Sequence, residues 1–189
     1  MKMDTKTLAG TTILAALVIV FDYALKFSGL KIPFPLLPYL KFDFTGVPIV
    51  LSLLLFGLPS AVITSGVAFL AIMGRSGDLL GSSMKALAEF STIFGVALGF
   101  RLFKNYGRIG RLSSLILGIL SRCTFMLVAN IVILPQTAAI VTGSLLTAFN
   151  AIQGALSILA GYSLYGIISR KIPSTLKSPA TKAETNQSN

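Results

Sequence analysis

The sequence predicts an all-α membrane protein: a bundle of six transmembrane helices with a first outer loop that caps one end. Three observations predict it. Of 189 residues, 54% are hydrophobic and 12% are charged, about half the roughly 25% charged share of soluble domains. The mean hydropathy is +0.84. The apolar residues gather into six runs with short connections, and a spanning helix takes about 20 such residues. That length leaves no room for a large extramembrane domain or an appended nucleotide-binding domain. The net charge is +10, from 16 Lys and Arg against 6 Asp and Glu. In so apolar a chain this excess reads as the positive-inside bias of cytoplasmic loops, not as a nucleic-acid surface.

Segment one covers about Thr7 to Phe27. It opens with Lys2 and Lys6 as a signal peptide would, but Asp22, Tyr23 and Lys26 fall where a small-residue cleavage site belongs, so a retained helix is expected. A loop from Ser28 to Phe42 follows, rich in Pro, Lys and aromatics. Segment two runs from about Thr45 to Phe56, a tight turn follows at Gly57-Leu58-Pro59, and segment three continues to about Met73. Both are short for full spans, so at least one is expected to tilt or lie partly in the interface. The rival topology joins them into one re-entrant hairpin. A polar loop, Gly74 to Ser83, leads into segment four, Met84 to Phe103. The basic link Lys104 to Arg111 precedes segment five, Leu112 to Leu134, which Pro135 ends because Pro cannot continue helical hydrogen bonding. Segment six covers Ser144 to Ser169. The domain is thus 1–170, and 171–189 reads as a disordered polar cytoplasmic tail.

Six spans put both termini on one side. That side and the link after segment four carry Lys2, Lys6, Arg101, Lys104, Arg108, Arg111, Arg170, Lys171, Lys177 and Lys182; the other side carries Lys26, Lys31, Lys41, Arg75 and Lys85. Ten against five places both termini in the cytoplasm of a multi-pass cell-membrane protein.

The residue types exclude much chemistry. There is no His, which removes the commonest general base and metal ligand. The single cysteine, Cys123, sits in an apolar run, so no intrachain disulfide or Cys-rich metal site is possible. No Gly-rich phosphate loop is present. Binding or transport is expected, not catalysis, with no metal and no cofactor. Ionisable groups inside spans are costly and mark function by default; here they are Asp22, Glu89 and Arg122. Glu89 and Arg122 fall at similar depth on neighbouring antiparallel segments, where they can pair, or Arg122 can snorkel to the headgroups. Asp22 can pair with Lys26 four residues on or face the outer cavity. An autonomous secondary transporter or channel would have to run its relay through these three groups.

Small residues recur at helical spacing: Thr11 with Ala15, Thr12 with Ala16, and Gly95 with Gly99. Such stripes let another backbone approach closely, inside the bundle or across an interface. The first outer loop is the most unusual stretch. Its 14 residues from Lys31 to Phe44 contain Pro33, Pro35 and Pro38 and the aromatics Phe34, Tyr39, Phe42 and Phe44. That is more than interfacial anchoring needs and suits a cap over a flat ligand. The amides Asn130, Asn150 and Gln153 suit the polar edges of such a ligand, or hydrogen bonding between helices.

The segment Pro38-Tyr-Leu-Lys-Phe-Asp-Phe44, followed by Val47-Pro48, resembles the first-loop motif of the riboflavin-specific substrate-binding (S) components of energy-coupling factor transporters. Thr45 and Gly46 replace that motif's usual Ser and acidic residue. Met126-Leu-Val-Ala-Asn130 with Leu134-Pro135 is similar to the family's fifth helix. Asn150-Ala-Ile-Gln153 falls where the family often has Asn-x-x-Lys, and Ser91 stands near Glu89 where an Asn is often found. The resemblance spans about residues 7 to 170. It implies capture of a vitamin from outside, with riboflavin as the transported ligand. It also implies association with a membrane coupling subunit and two cytoplasmic ATPases that drive release inside. The ligand-site candidates are Phe34, Tyr39, Leu40, Lys41, Phe42, Asp43, Glu89, Asn130, Asn150 and Gln153. The family docks its coupling subunit on small residues of the first helix, for which Thr11, Thr12, Ala15 and Ala16 are the candidates.

Overall fold

The computed structural model describes residues 3–29, 31–103, 107–133 and 136–171. These form six helices and one two-stranded hairpin in the order α1 (Thr5–Phe27), β1 (Ile32–Phe34), β2 (Leu37–Phe42), α2 (Gly46–Phe56), α3 (Leu58–Ser76), α4 (Leu79–Leu102), α5 (Gly107–Ile133) and α6 (Gln136–Lys171). The tail expected to be disordered lies outside the described residues from 172 onward, as does Pro135.

Among the described residues, four helices are long and apolar enough to cross a membrane: α1, α3, α5 and α6. Helix α4 has 24 residues but carries Lys85, Glu89 and Arg101. Helix α2 has 11 residues, about 16 Å of helix, well short of the hydrocarbon core. It can be short because it meets other helices and not lipid: every residue from Gly46 to Leu55 is buried. Around it the neighbours run α1–α3–α4–α5–α6, and α6 closes back onto α2. Ile49, Val50, Leu53 and Leu54 of α2 join Leu14 and Val18 of α1, Ala68 of α3, Ile93 and Val96 of α4 and Ile158 of α6 in the core.

Segments two and three form two helices, an arrangement that both the six-span reading and the re-entrant hairpin contain. They are separate helices that break at Gly57, whose φ of +92° lies where only glycine sits without strain. Pro59 falls in the first turn of α3, where its missing N–H costs nothing.

The loop expected over Ser28 to Phe42 is an antiparallel hairpin, with Ile32 opposite Phe42 and Pro33 opposite Lys41. Its prolines exclude helix and leave extended backbone, and the register shifts between Pro33 and Phe34. The polar loop expected over Gly74 to Ser83 shrinks to two residues. Gly77 closes α3 in the left-handed conformation (φ +66°), and the Asp78 carboxylate caps α4 by accepting from the Gly81 N–H at 3.0 Å. Two capping residues therefore do what a longer loop was expected to do. Helix α6 begins at Gln136, eight residues before the expected start at Ser144, and runs 36 residues. Helix α5 ends at Ile133 and α6 starts at Gln136.

The small-residue stripe on α4 is spent inside the bundle. A methyl group on Gly95 would strike the Leu117 carbonyl of α5, and one on Gly99 would strike the Ser114 backbone. These glycines let α4 and α5 approach as two backbones.

Candidate ligand site

At the end of the bundle that carries the hairpin, a cavity of about 500 Å³ opens between β2, α4, α5 and α6. Helical periodicity supplies its walls. Gly81, Met84, Lys85, Ala88 and Glu89 form one stripe of α4; Arg122, Met126 and Asn130 form one of α5; Leu146, Phe149, Asn150 and Gln153 form one of α6. Each set repeats at three and four residues, which brings side chains to one helix face. Tyr39, Leu40, Lys41 and Asp43 complete the lining from the hairpin. The cavity is of ordinary small-molecule size, since such sites span about 300–1,000 Å³.

Deep in the wall, Glu89 and Arg122 pair as one of the sequence readings has it. Arg122 Nη1 lies 3.1 Å from Glu89 Oε1, and the two side chains are 4% and 1% exposed. Arg122 also donates to Thr92 Oγ1 at 3.1 Å and through Nε to Asn150 Oδ1 at 3.2 Å. A buried guanidinium needs several acceptors to offset its lost hydration, and this one has them. It does not snorkel. Glu89 Oε2 has no hydrogen-bond partner among the described residues. It sits against Gly46, where an added methyl group would come within 2.6 Å of it. Gly46 thus makes room for the buried carboxylate beside the start of α2.

Asp43 is the junction between the hairpin and the bundle. Its Oδ1 accepts from the Thr45 N–H at 3.2 Å and hydroxyl at 2.7 Å, which turns the chain into α2. Its Oδ2 pairs with Lys85 of α4. Its backbone is held by Gln153, whose Nε2 donates to the Asp43 carbonyl at 2.7 Å and whose Oε1 accepts from the Asp43 N–H at 3.4 Å. The Gln153 amide is therefore largely spent on the hairpin junction. Asp22 does not pair with Lys26, which is exposed. It is buried against Lys31 at 2.8 Å and Arg75 at 2.6 Å, because it points inward while Lys26 points out.

Of the residues singled out in the sequence, Tyr39, Leu40, Lys41, Asp43, Glu89, Asn130, Asn150 and Gln153 line the cavity. Phe34 and Phe42 do not. They stand behind it, packed on Phe149 with ring centroids 5.7 and 5.0 Å away. Asn130 and Asn150 each donate to the carbonyl four residues back in their own helix, at 2.6 and 2.8 Å, and Asn130 Oδ1 has no protein partner among the described residues. Sequence reasoning missed Met84, Lys85, Met126 and Phe149. Lys85 was findable from its position four residues before Glu89, and Phe149 from its place beside Asn150. The methionines carry no such signal. On α1, Thr11 and Ala15 are buried and Thr12 and Ala16 are exposed; Thr11 hydrogen-bonds Ser60 of α3. Among the described residues, no cluster of His, Cys, Asp and Glu is placed to hold a metal ion.

No family model matches this sequence, and no curated protein does. A solved structure, that of the S component of a bacterial ECF transporter, is similar: the TM-score is 0.76 at 24% sequence identity, over 90% of this chain and 99% of that one. At this identity the likeness establishes the fold alone.

Proposed function

We propose that this chain is the substrate-binding component of an energy-coupling factor importer and that it captures riboflavin from outside the cell. The observation that carries the reading is convergence. Eight residues picked from sequence, spread from Tyr39 to Gln153, line one cavity in a fold similar to that of an ECF S component. The lining suits a flat ligand with polar edges. Phe149, Met84, Met126, Leu40 and Leu146 offer apolar and polarizable faces. Asn130 Oδ1, Lys85 and Lys41 offer polar ends around the rim and wall. In this reading the hairpin is the outward cap, both termini lie in the cytoplasm, and riboflavin is cargo and not a cofactor.

Release inside would require a membrane coupling subunit and two cytoplasmic ATPases. Thr12 and Ala16, exposed on α1, are the small residues available to such a partner. Thr11 and Ala15, buried in the bundle, are not. Purification tests the proposal. The protein should carry a yellow, flavin-absorbing ligand or take one up when riboflavin is added, and it should transport none in liposomes without its partners. Concentrative uptake by the chain alone under an ion gradient would point instead to a secondary transporter.

A further inference from the structure

The hairpin is fastened to the bundle unequally at its two ends. At the α2 end, Asp43 is held by Thr45, Lys85 and both polar atoms of Gln153. At the α1 end, the polar hold is Lys31. Its ammonium lies 2.8 Å from Asp22 Oδ1 on α1 and 3.9 Å from Asp43 Oδ2. With Arg75 of α3 on the far side of Asp22 and Lys85 of α4 on Asp43, the charges alternate as Arg75–Asp22–Lys31–Asp43–Lys85. Lys31 is the central link, and Asp22 is 1% exposed. Between the two ends, Phe34 and Phe42 rest on Phe149. A lone two-stranded hairpin has little stability of its own, so its position depends on these attachments.

We infer that Lys31 is a positioning residue: by bridging Asp22 and Asp43 it latches the α1 end of the hairpin and sets how fast the cavity wall formed by Tyr39, Leu40 and Lys41 opens to ligand. Removing it is a clean test. Lys31→Met leaves Asp22 on Arg75 and Asp43 on Lys85, so neither buried carboxylate is orphaned and the bundle keeps its other contacts. Asp22→Asn would instead take the carboxylate from Arg75 as well as from Lys31, loosening α1 from α3, which confuses latch with fold.

The latch has a readout that involves no ligand. In nanodiscs, hydrogen exchange across Ile32–Phe42 should speed up in Lys31→Met while α2 and α3 exchange as in the wild type. Lys31→Arg should restore wild-type protection, and Lys26→Met, an exposed lysine near the same end, should change nothing. Unchanged exchange in the hairpin, or exchange that speeds up everywhere, overturns the latch. A second readout rests on the proposed function: stopped-flow quenching of riboflavin fluorescence. A looser wall should raise the association and dissociation rates together by roughly 3- to 10-fold, with little change in their ratio. A rise in the dissociation rate alone, or no change in either, overturns the rate-setting role and makes Lys31 a ligand contact or a bystander. Failure of the wild-type protein to bind riboflavin would count against the function, and the exchange experiment would still decide the latch.

Discussion

Two clusters of buried polar groups in the bundle are built in different ways. Between α1, α2 and α3, four hydroxyls bond to one another: Thr11 to Ser60, Ser60 to Ser52 at 2.8 Å, and Thr64 to Ser52 at 3.1 Å. Thr64 also donates to the Ser60 carbonyl at 2.9 Å. None of the four lines the cavity. Between α4, α5 and α6 the buried Glu89–Arg122 pair stands in the wall of a cavity of about 500 Å³, and Glu89 Oε2 has no hydrogen-bond partner among the described residues. The hydroxyl cluster closes on itself and reads as glue. The charged cluster has unused bonding capacity beside empty space and reads as a site. Buried polarity here is thus of two kinds: groups whose bonds close within the bundle, the Asp22–Arg75 pair included, and groups with unspent capacity at a cavity.

The comparison breaks most sharply through α1, which joins the hydroxyl cluster but offers an outer face. Ala16→Trp should leave riboflavin affinity unchanged and abolish uptake in cells, because a bulky ring on the exposed stripe blocks close approach of a partner. Ala15→Trp is a different experiment, since Ala15 is buried and the ring must disrupt packing first. Wild-type uptake by Ala16→Trp would remove this face from docking.

At the cavity, Arg122→Gln strips Glu89 of its salt-bridge partner among the described residues. Loss of one partner of a fully buried pair destabilises by roughly 3–5 kcal/mol, read as a lowered unfolding temperature in detergent. The double variant Glu89→Gln with Arg122→Gln should melt above the worse single variant. If it does not, the two groups are not energetically coupled.

How far this division could be read in advance differs by residue. The Gly57-Leu58-Pro59 break was legible because glycine and proline act locally. So was the loop from Lys31 to Phe44, whose prolines and aromatics stand out from an apolar background. The Glu89–Arg122 pair was legible because charges are rare in spans and the two segments are adjacent. Phe149 and Met126 were not, because an apolar side chain in a span looks the same whether it faces lipid or a cavity. The partners of Asp22 were hidden for another reason. Arg75 is 53 positions away, and only the packing of α3 against α1 brings it near, whereas the local candidate Lys26 lost to the direction of its helix face. The hairpin register was likewise unreadable, since three prolines exclude helix without specifying a pairing.

Smaller effects sharpen the contrast. Asn150→Leu removes a cavity amide and the acceptor for Arg122 Nε, and a lost buried hydrogen bond costs about 1–3 kcal/mol. Riboflavin binding should weaken by about ten-fold or more in isothermal titration. Thr64→Ala in the hydroxyl cluster should lower stability by about 0.6–1 kcal/mol and leave affinity untouched. An affinity loss in Thr64→Ala would mean that the hydroxyl cluster communicates with the site.

The central claim, that the α4–α6 cavity is a flavin site, is tested most directly by titrating the purified wild-type chain in detergent with riboflavin, thiamine, biotin and folate, each also against Asn150→Leu. The account predicts saturable one-to-one binding of riboflavin, much weaker binding of the other three, and a loss of riboflavin affinity in Asn150→Leu that retains its fold. Tighter binding of one of the other vitamins, or riboflavin affinity that Asn150→Leu leaves unchanged, would contradict it.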